Sequence, residues 1–194
     1  RHGFTKRIAP DITPVTWNRP DSVKEERGVF NMTFWAKRAA DFAGGGKSPV
    51  INYDDVVVEK ALEYLSEEHE KPQLIVVGVY GPHSPYVAPK ELFEKYYNKV
   101  AIPENFGKTP SFMNEALEGQ KYGDVSNEKE RAVLAAYYAL VELTDMRLGK
   151  VVDAFEKYTK KKGSEGIVCY LSDHGDQLGE RGIYGKNNFF EKSA

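Results

Sequence analysis

Residues 166–176 read GIVCYLSDHGD, an apolar run that ends in a cluster of polar residues. A second apolar run, LIVVGVY, covers residues 74–80 and is followed by GPHSP at residues 81–85. Short runs of this kind, rich in β-branched residues, are typical of strands buried on both faces of a parallel sheet. The sequence therefore predicts two buried strands, each followed by a loop that contains a histidine.

Helical patterns precede and separate these runs, and the predicted helices cover residues 54–69, 89–97 and 126–157. Asp54 or Asp55 is the predicted cap of the first helix, and Ser126 or Asn127 that of the third. A long helical crossover between two strands implies a right-handed connection in a parallel sheet. The predicted fold class is therefore α/β, with a mainly parallel sheet flanked by helices.

Composition and charge exclude several classes of protein. The chain has 194 residues, of which 41% are hydrophobic and 29% charged, which is ordinary for a single globular domain. The net charge of −2 argues against nucleic acid as a partner, and no stretch approaches the roughly 20 apolar residues of a membrane span. Cys169 is the only cysteine, which excludes an internal disulfide and favours the cytoplasm over the periplasm.

The glycine-rich stretch GGGKS at residues 44–48 is similar to the end of a phosphate-binding P-loop. The P-loop pattern requires another glycine where Asp41 stands, and a strand before it. Residues 33–42 are instead predicted to form a short helix. We therefore interpret the stretch as a plain glycine loop.

The carboxyl ends of the two predicted strands are where the chemistry is expected. Loops that follow parallel strands emerge on the same edge of a sheet, so His83 should lie close to Asp173 and His174. A carboxylate beside an imidazole suits a divalent cation, and Gly175 permits the sharp turn that would aim both at one point. The alternative is that Asp173 caps a turn and His174 is an ordinary surface histidine.

Two further residues could act on a bound anion. His83 lies between prolines on a rigid loop, where a protonated imidazole could donate a proton to a leaving oxygen. Lys186 follows a glycine-containing loop that could return its ammonium group to the same edge. The alternatives are an ordinary loop histidine and a surface lysine. Asp176, Glu180 and Arg181 are interpreted as a local charged turn.

Several segments together resemble one family, the type I sulfatases. Residues 171–182, LSDHGDQLGERG, followed by Lys186 and by FFE at residues 189–191, resemble its C-terminal metal and sulfate signature, in the form typical of the choline-sulfatase-like branch. Residues 81–89, GPHSPYVAP, resemble the family's K-P-H-x-P-[FY]-x-x-P loop. Residues 136–149 resemble its Y-Y-A…D…G helix, so the resemblance spans essentially the whole chain.

The resemblance implies an alkaline-phosphatase-like α/β fold and an enzyme that hydrolyses sulfate monoesters, with a small-molecule sulfate ester as substrate. Asp173 and His174 would be ligands of a divalent cation, Ca²⁺ first and Mg²⁺ or Mn²⁺ as alternatives. His83 would contact the bridging oxygen and protonate the leaving group. Lys186 would bind a sulfate oxygen and offset the charge of the transition state, so His83 and Lys186 are the predicted catalytic and substrate-binding residues.

The chain also departs from the family pattern. The nucleophile of the family is a formylglycine made from Cys or Ser in a C/S-x-P/A-x-R motif, which these residues do not contain. Cys169 lies inside a predicted strand and is interpreted as a core residue. Gly81 stands where the family has lysine. We therefore predict that residues 1–194 are the central part of a sulfatase catalytic domain, without its nucleophile segment and C-terminal region, and inactive alone.

Two other functions remain open at this stage. A phosphonate monoester hydrolase or phosphodiesterase of the same superfamily shares the D-H-G signature, and the missing nucleophile segment is where it would differ. A binding domain that kept the fold without catalysis is the third hypothesis. The sequence does not decide which sulfate ester is cleaved or whether the chain forms a homo-oligomer.

Overall fold

The computed structural model describes residues 3–9, 43–103, 111, 125–186 and 190–193. The elements along these residues are β1 (Gly44–Gly45), α1 (Pro49–Ser66), β2 (Val87–Ala88), α2 (Lys90–Tyr97), α3 (Asn127–Lys162), β3 (Gln177–Leu178) and β4 (Tyr184–Gly185). Strand β1 pairs with β2 in parallel, and β3 pairs with β4 in an antiparallel hairpin. The helix predicted at residues 33–42 lies outside the described residues.

Helix α1 begins earlier than the sequence predicts. Ser48 is its N-cap, and the Ser48 hydroxyl accepts a hydrogen bond of 3.2 Å from the amide of Val50. The prediction that Asp54 or Asp55 caps the helix was therefore wrong. Asp54 instead lies in the second turn and is fully buried, which leaves its carboxylate free to bond elsewhere.

Helix α3 begins where the sequence predicts, but it ends at Lys162, five residues beyond the predicted Lys157. The Ser126 side chain accepts a hydrogen bond from the amide of Lys129 and caps the first turn. Gly163 ends the helix with a left-handed backbone (φ 62°), a conformation that glycine adopts without a steric penalty. Within the described ranges, no helix is both long and apolar enough to cross a membrane.

The core lies between α3, the short helix α2 and strand β2. Alanines on α3 allow close packing, since Ala136 joins Tyr86 and Tyr184 in one buried cluster, and Ala139 joins Ala88 in another. This packing fixes the chain on either side of β2 and holds residues 81–86 against α3.

The glycine-rich stretch is part of a sheet rather than a plain loop. The amide of Gly44 donates to the carbonyl of Tyr86 at 2.9 Å, and that of Gly46 to the carbonyl of Ala88 at 2.8 Å. The amide of Gly46 is therefore already engaged, which agrees with setting aside a P-loop. The described residues thus contain one parallel pairing, between β1 and β2, at a place where the sequence did not predict strands.

The two apolar runs at residues 74–80 and 166–171 differ from the prediction. Neither forms a strand ladder with any described residue. All of residues 166–171 are exposed, with Ile167 at 88%, whereas in residues 74–80 exposed positions such as Leu74, at 82%, alternate with half-buried ones. Cys169, predicted as core, is exposed too. A run becomes a buried strand only when neighbouring segments pair with its backbone and cover its faces, and the described residues supply no such neighbours.

The β3–β4 hairpin shapes the chain after the polar cluster. Gly179 and Gly182 take positive φ angles of 104° and 73° in its turn, which explains the spacing of these two glycines. Glu180 accepts hydrogen bonds from the amide of Leu178 at 2.8 Å and from the ammonium of Lys192. Burial raises the pKa of Glu180, but these hydrogen bonds outweigh burial and hold the pKa below its usual range.

Gly175 is required for a close approach between two segments. A Cβ atom at this position would collide with the carbonyl oxygen of Lys192. The sequence analysis explains the glycine by a sharp turn, but Gly175 is not among the glycines with a positive φ. The close contact with Lys192 is the reason that the structure shows. The polar cluster therefore rests against the turn at residues 190–193.

Replacing Gly175 with alanine should lower the free energy of unfolding by about 1–3 kcal/mol, because the added methyl group pushes residues 190–193 away. Urea denaturation measures this loss. Gly149→Ala is the matched control, since α3 leaves open space at Gly149, and alanine there should stabilise the helix by about 0.5–1 kcal/mol. Wild-type stability of Gly175→Ala would contradict the contact with Lys192.

The contribution of Glu180 to stability should depend on pH. A lowered pKa in the folded state means that the stabilisation is fully present above the ordinary glutamate pKa of 4.5 and is lost as the pH falls through the folded value. Glu180→Gln should therefore cost about 1 kcal/mol at neutral pH, and this cost should shrink in acid. Urea unfolding of both proteins at about pH 7 and about pH 3.5 measures it; a difference independent of pH would contradict the assignment.

Candidate active site

A cavity of about 190 Å³ lies where the loops after the two apolar runs meet. Its walls include the four residues that the sequence singles out, His83, Asp173, His174 and Lys186. The ring centroids of His83 and His174 are 5.8 Å apart, with the rings edge to face. The structure thus brings together side chains that are up to 103 positions apart in the sequence, although the two runs before them do not form the predicted parallel strands.

His83 is held by its own loop. Its amide donates to the carbonyl of Tyr80 at 3.1 Å, and its ring packs against the ring of Tyr80 at 4.4 Å between centroids. The ring nitrogen Nδ1 lies 2.7 Å from the carbonyl oxygen of Ser84, so Nδ1 carries the hydrogen and Nε2 is left for a ligand. Burial lowers the pKa of His83, although the Ser84 carbonyl and Asp176 work in the opposite direction.

The ring of His174 is also oriented by a hydrogen bond to a backbone carbonyl. Its Nδ1 lies 2.8 Å from the carbonyl oxygen of Gly175 and donates to it. The other ring nitrogen, Nε2, accepts a hydrogen bond of 2.7 Å from the ammonium of Lys186. Lys186 follows strand β4, so the hairpin is what returns this lysine to the cavity.

Asp173 lies at the rim of the cavity. Its side chain is 89% exposed, and its Oδ2 atom is 3.7 Å from Nε2 of His174. The other oxygen, Oδ1, accepts a hydrogen bond of 3.0 Å from the amide of His174. A carboxylate oxygen and an imidazole nitrogen at this separation can contact one cation together.

Asp173 and His174 are the candidate ligands of a metal ion at this cavity. No group of three or more His, Cys, Asp or Glu side chains with metal-binding geometry occurs within the described part of the chain. Asp173 would supply one of the six to eight oxygen ligands that a calcium-type cation takes, and His174 would add a nitrogen ligand. A carboxylate and an imidazole fit a divalent cation held mainly by oxygen atoms, and the other ligands would have to come from elsewhere.

Asp176 lines the same cavity. The sequence analysis assigns it to a local charged turn without a chemical role, but it is 8% exposed and accepts a 2.9 Å hydrogen bond from the hydroxyl of Tyr86. Burial raises the pKa of Asp176, while Tyr86 and the nearby His83, His174 and Lys186 lower it. The available signal was its position in the D-H-G-D motif, directly beside two candidate ligands.

Several known proteins are similar in sequence to this chain. The family model described as Sulfatase matches residues 11–193. A choline-sulfatase of Rhizobium meliloti is 29% identical over all of this chain and 40% of its own length. A sulfatase of Formosa agariphila is 24% identical over 92% of this chain and 36% of its own length. An arylsulfatase of Clostridium perfringens is 26% identical over 71% of this chain and 29% of its own length.

The chain is much shorter than the relatives that it matches. It spans about 40% of the length of the choline-sulfatase, so the activity of a whole sulfatase is a proposal for this chain. The family model nevertheless covers almost the entire chain, including both loops that form the cavity. The chain therefore belongs to the sulfatase family, within the alkaline phosphatase superfamily.

Proposed function

We propose that this chain carries part of the active site of a sulfatase that hydrolyses a small-molecule sulfate monoester. The observation that supports it most is the convergence of His83, His174 and Lys186 on one cavity, with Asp173 at its rim. Two imidazoles and an ammonium group there suit an anionic ligand. Membership of the sulfatase family narrows that ligand to a sulfate ester.

Asp173 and His174 are the proposed ligands of a divalent cation, with Ca²⁺ first and Mg²⁺ or Mn²⁺ as alternatives. When bound, such a cation supplies positive charge that offsets the charge on the sulfate group and on the nucleophile. The lone pair of His174 Nε2 is held by the ammonium of Lys186. A cation bound at Nε2 would take the place of this hydrogen bond, and the ammonium group of Lys186 would then be available to a sulfate oxygen.

His83 and Lys186 are the proposed catalytic residues. Lys186 donates a hydrogen bond to a non-bridging sulfate oxygen, which stabilises the charge that develops there. Nδ1 of His83 donates its proton in a hydrogen bond to the Ser84 carbonyl. Nε2 is therefore the atom that contacts the bridging oxygen of the ester. An anionic ester beside His83 favours the protonated imidazole, which then gives its Nε2 proton to the leaving group.

The nucleophile of the proposed reaction comes from outside these 194 residues. Sulfatases generally use a formylglycine, and the C/S-x-P/A-x-R motif from which it forms does not occur in this sequence. Cys169 is exposed on the run before the cavity but lacks the rest of that motif. We propose that the complete gene product supplies it, and that the 194-residue chain alone hydrolyses no sulfate ester.

Cation binding can be measured on the chain itself. We expect the paramagnetic ion Mn²⁺ to broaden the NMR signals of the His174 ring more than those of His69, which packs on Tyr64 and does not line the cavity. Asp173→Asn should weaken this broadening, because it removes the carboxylate charge. Asp153→Asn is the control, because Asp153 is exposed on α3 and its replacement should leave the broadening of the His174 signals unchanged. Equal broadening at both histidines would contradict the proposed ligands.

The catalytic roles are tested in the complete gene product with an aryl sulfate as substrate. His83→Ala should lower kcat by about 10²–10⁴-fold, the usual contribution of a general acid. Lys186→Ala should lower kcat/KM by about 10²–10³-fold, as for a donor to a developing charge. An aryl sulfate with a better leaving group should rescue His83→Ala but not Lys186→Ala, because it needs no proton.

Lys150→Ala is the control for these variants, since Lys150 is an exposed lysine on α3 and should leave the rates unchanged. Wild-type kinetics in His83→Ala or Lys186→Ala would refute the corresponding role. Turnover of a phosphonate monoester or phosphodiester in preference to the sulfate ester would assign the chain to another branch of the superfamily.

A further inference from the structure

A buried carboxylate connects helix α1 to the loop that carries His83. Asp54 has no exposed surface. Its Oδ1 atom accepts a hydrogen bond of 2.7 Å from the amide of Tyr80, and Oδ2 accepts one of 3.0 Å from the amide of Gly81. The carbonyl of Tyr80 in turn accepts from the amide of His83 at 3.1 Å. The carboxylate therefore holds the first two residues of the turn that ends at His83.

Arg147 on helix α3 holds the same carboxylate from the other side. Its side chain is 4% exposed, and Nη1 lies 3.4 Å from Oδ2 of Asp54. The rest of the guanidinium is fixed as well, because Nη2 donates to Oδ1 of Asp55 at 2.6 Å and to the carbonyl of Ile51 at 2.7 Å. Helices α1 and α3 are thus joined at the point where the loop leaves the apolar run.

The network also explains why glycine occupies position 81. A Cβ atom on Gly81 would lie 2.9 Å from the hydroxyl oxygen of Thr144 and 3.0 Å from Oδ2 of Asp54. The hydroxyl of Thr144 is buried and has no partner in the described part of the chain. A side chain at position 81 would have to displace one of these groups, so this chain cannot take the lysine of the family pattern without moving the loop.

We infer that Asp54 and Arg147 are positioning residues, which set the place of the His83 ring through the backbone of Tyr80 and Gly81. Asp54 contacts neither His83 nor Lys186 directly and acts through the backbone of the loop. The effect on the loop stands by itself, and only the effect on the reaction rate rests on the proposed function. An asparagine at position 54 has one acceptor oxygen for the two amides and the guanidinium. The loop then loses at least one of its two anchors, and a displacement of about 1 Å can cost about 10²-fold in rate.

The inference is tested first by NMR on the 194-residue chain, so that it does not depend on activity. Asp54→Asn should shift the amide signals of Tyr80 and Gly81 and the ring signals of His83, while the ring of His69 stays unchanged. Glu59→Gln is the matched control, because it removes one carboxylate from an exposed position of the same helix and leaves the bonds of Asp54 and Arg147 in place. Unchanged His83 signals in Asp54→Asn would overturn the inference.

A second variant covers the case in which Asp54→Asn does not fold, as judged by far-UV circular dichroism. Gly81→Ala keeps the ion pair and adds only the methyl group that meets Thr144 and Asp54, so it should shift the same His83 signals. In the complete gene product, Asp54→Asn should lower kcat about 10²-fold with a smaller change in KM, and Glu59→Gln should not. A wild-type enzyme without sulfatase activity would overturn the proposed function and leave the NMR result as the test of positioning.

Discussion

The carboxylate of Asp54 is the group on which the arrangement around the cavity depends. Burial raises its pKa, and the amides of Tyr80 and Gly81 together with Arg147 lower it. An ionised carboxylate is expensive to bury unless each oxygen is bonded, so helix α1, helix α3 and the loop must all be in place at once. The packing of the two helices therefore determines the position of the loop, and with it the position of His83.

The charges around the cavity explain why this arrangement suits an anion. Lys186 and two imidazoles face a small space in which Asp176 is the buried carboxylate, and Tyr86 holds Asp176 with a hydrogen bond. Burial lowers the pKa of His83, so the empty site favours the neutral ring. In the proposed reaction, the negative charge of a sulfate ester would favour the protonated ring, so that substrate binding would prepare His83 to donate its proton.

The sequence predicted the helices and the neighbourhood of the two histidines better than the sheet. The apolar periodicity of α1 and α3 was sufficient for both helices, and the rings of His83 and His174 do lie 5.8 Å apart, although no described parallel strands bring them there. The runs themselves form no ladder with the described residues, since a strand depends on partners that its own sequence does not specify. Asp54 and Arg147 were missed although each is an ionisable residue on the apolar face of its helix, a pattern that signals a buried polar contact.

The measurement that tests the central claim most directly is peptide mass analysis of the complete gene product that contains this chain. The account predicts a C/S-x-P/A-x-R motif outside these residues and, at its first position, the mass of formylglycine in place of cysteine or serine. A complete product without that motif, or one in which this residue remains unmodified while an aryl sulfate is still hydrolysed, would contradict the account.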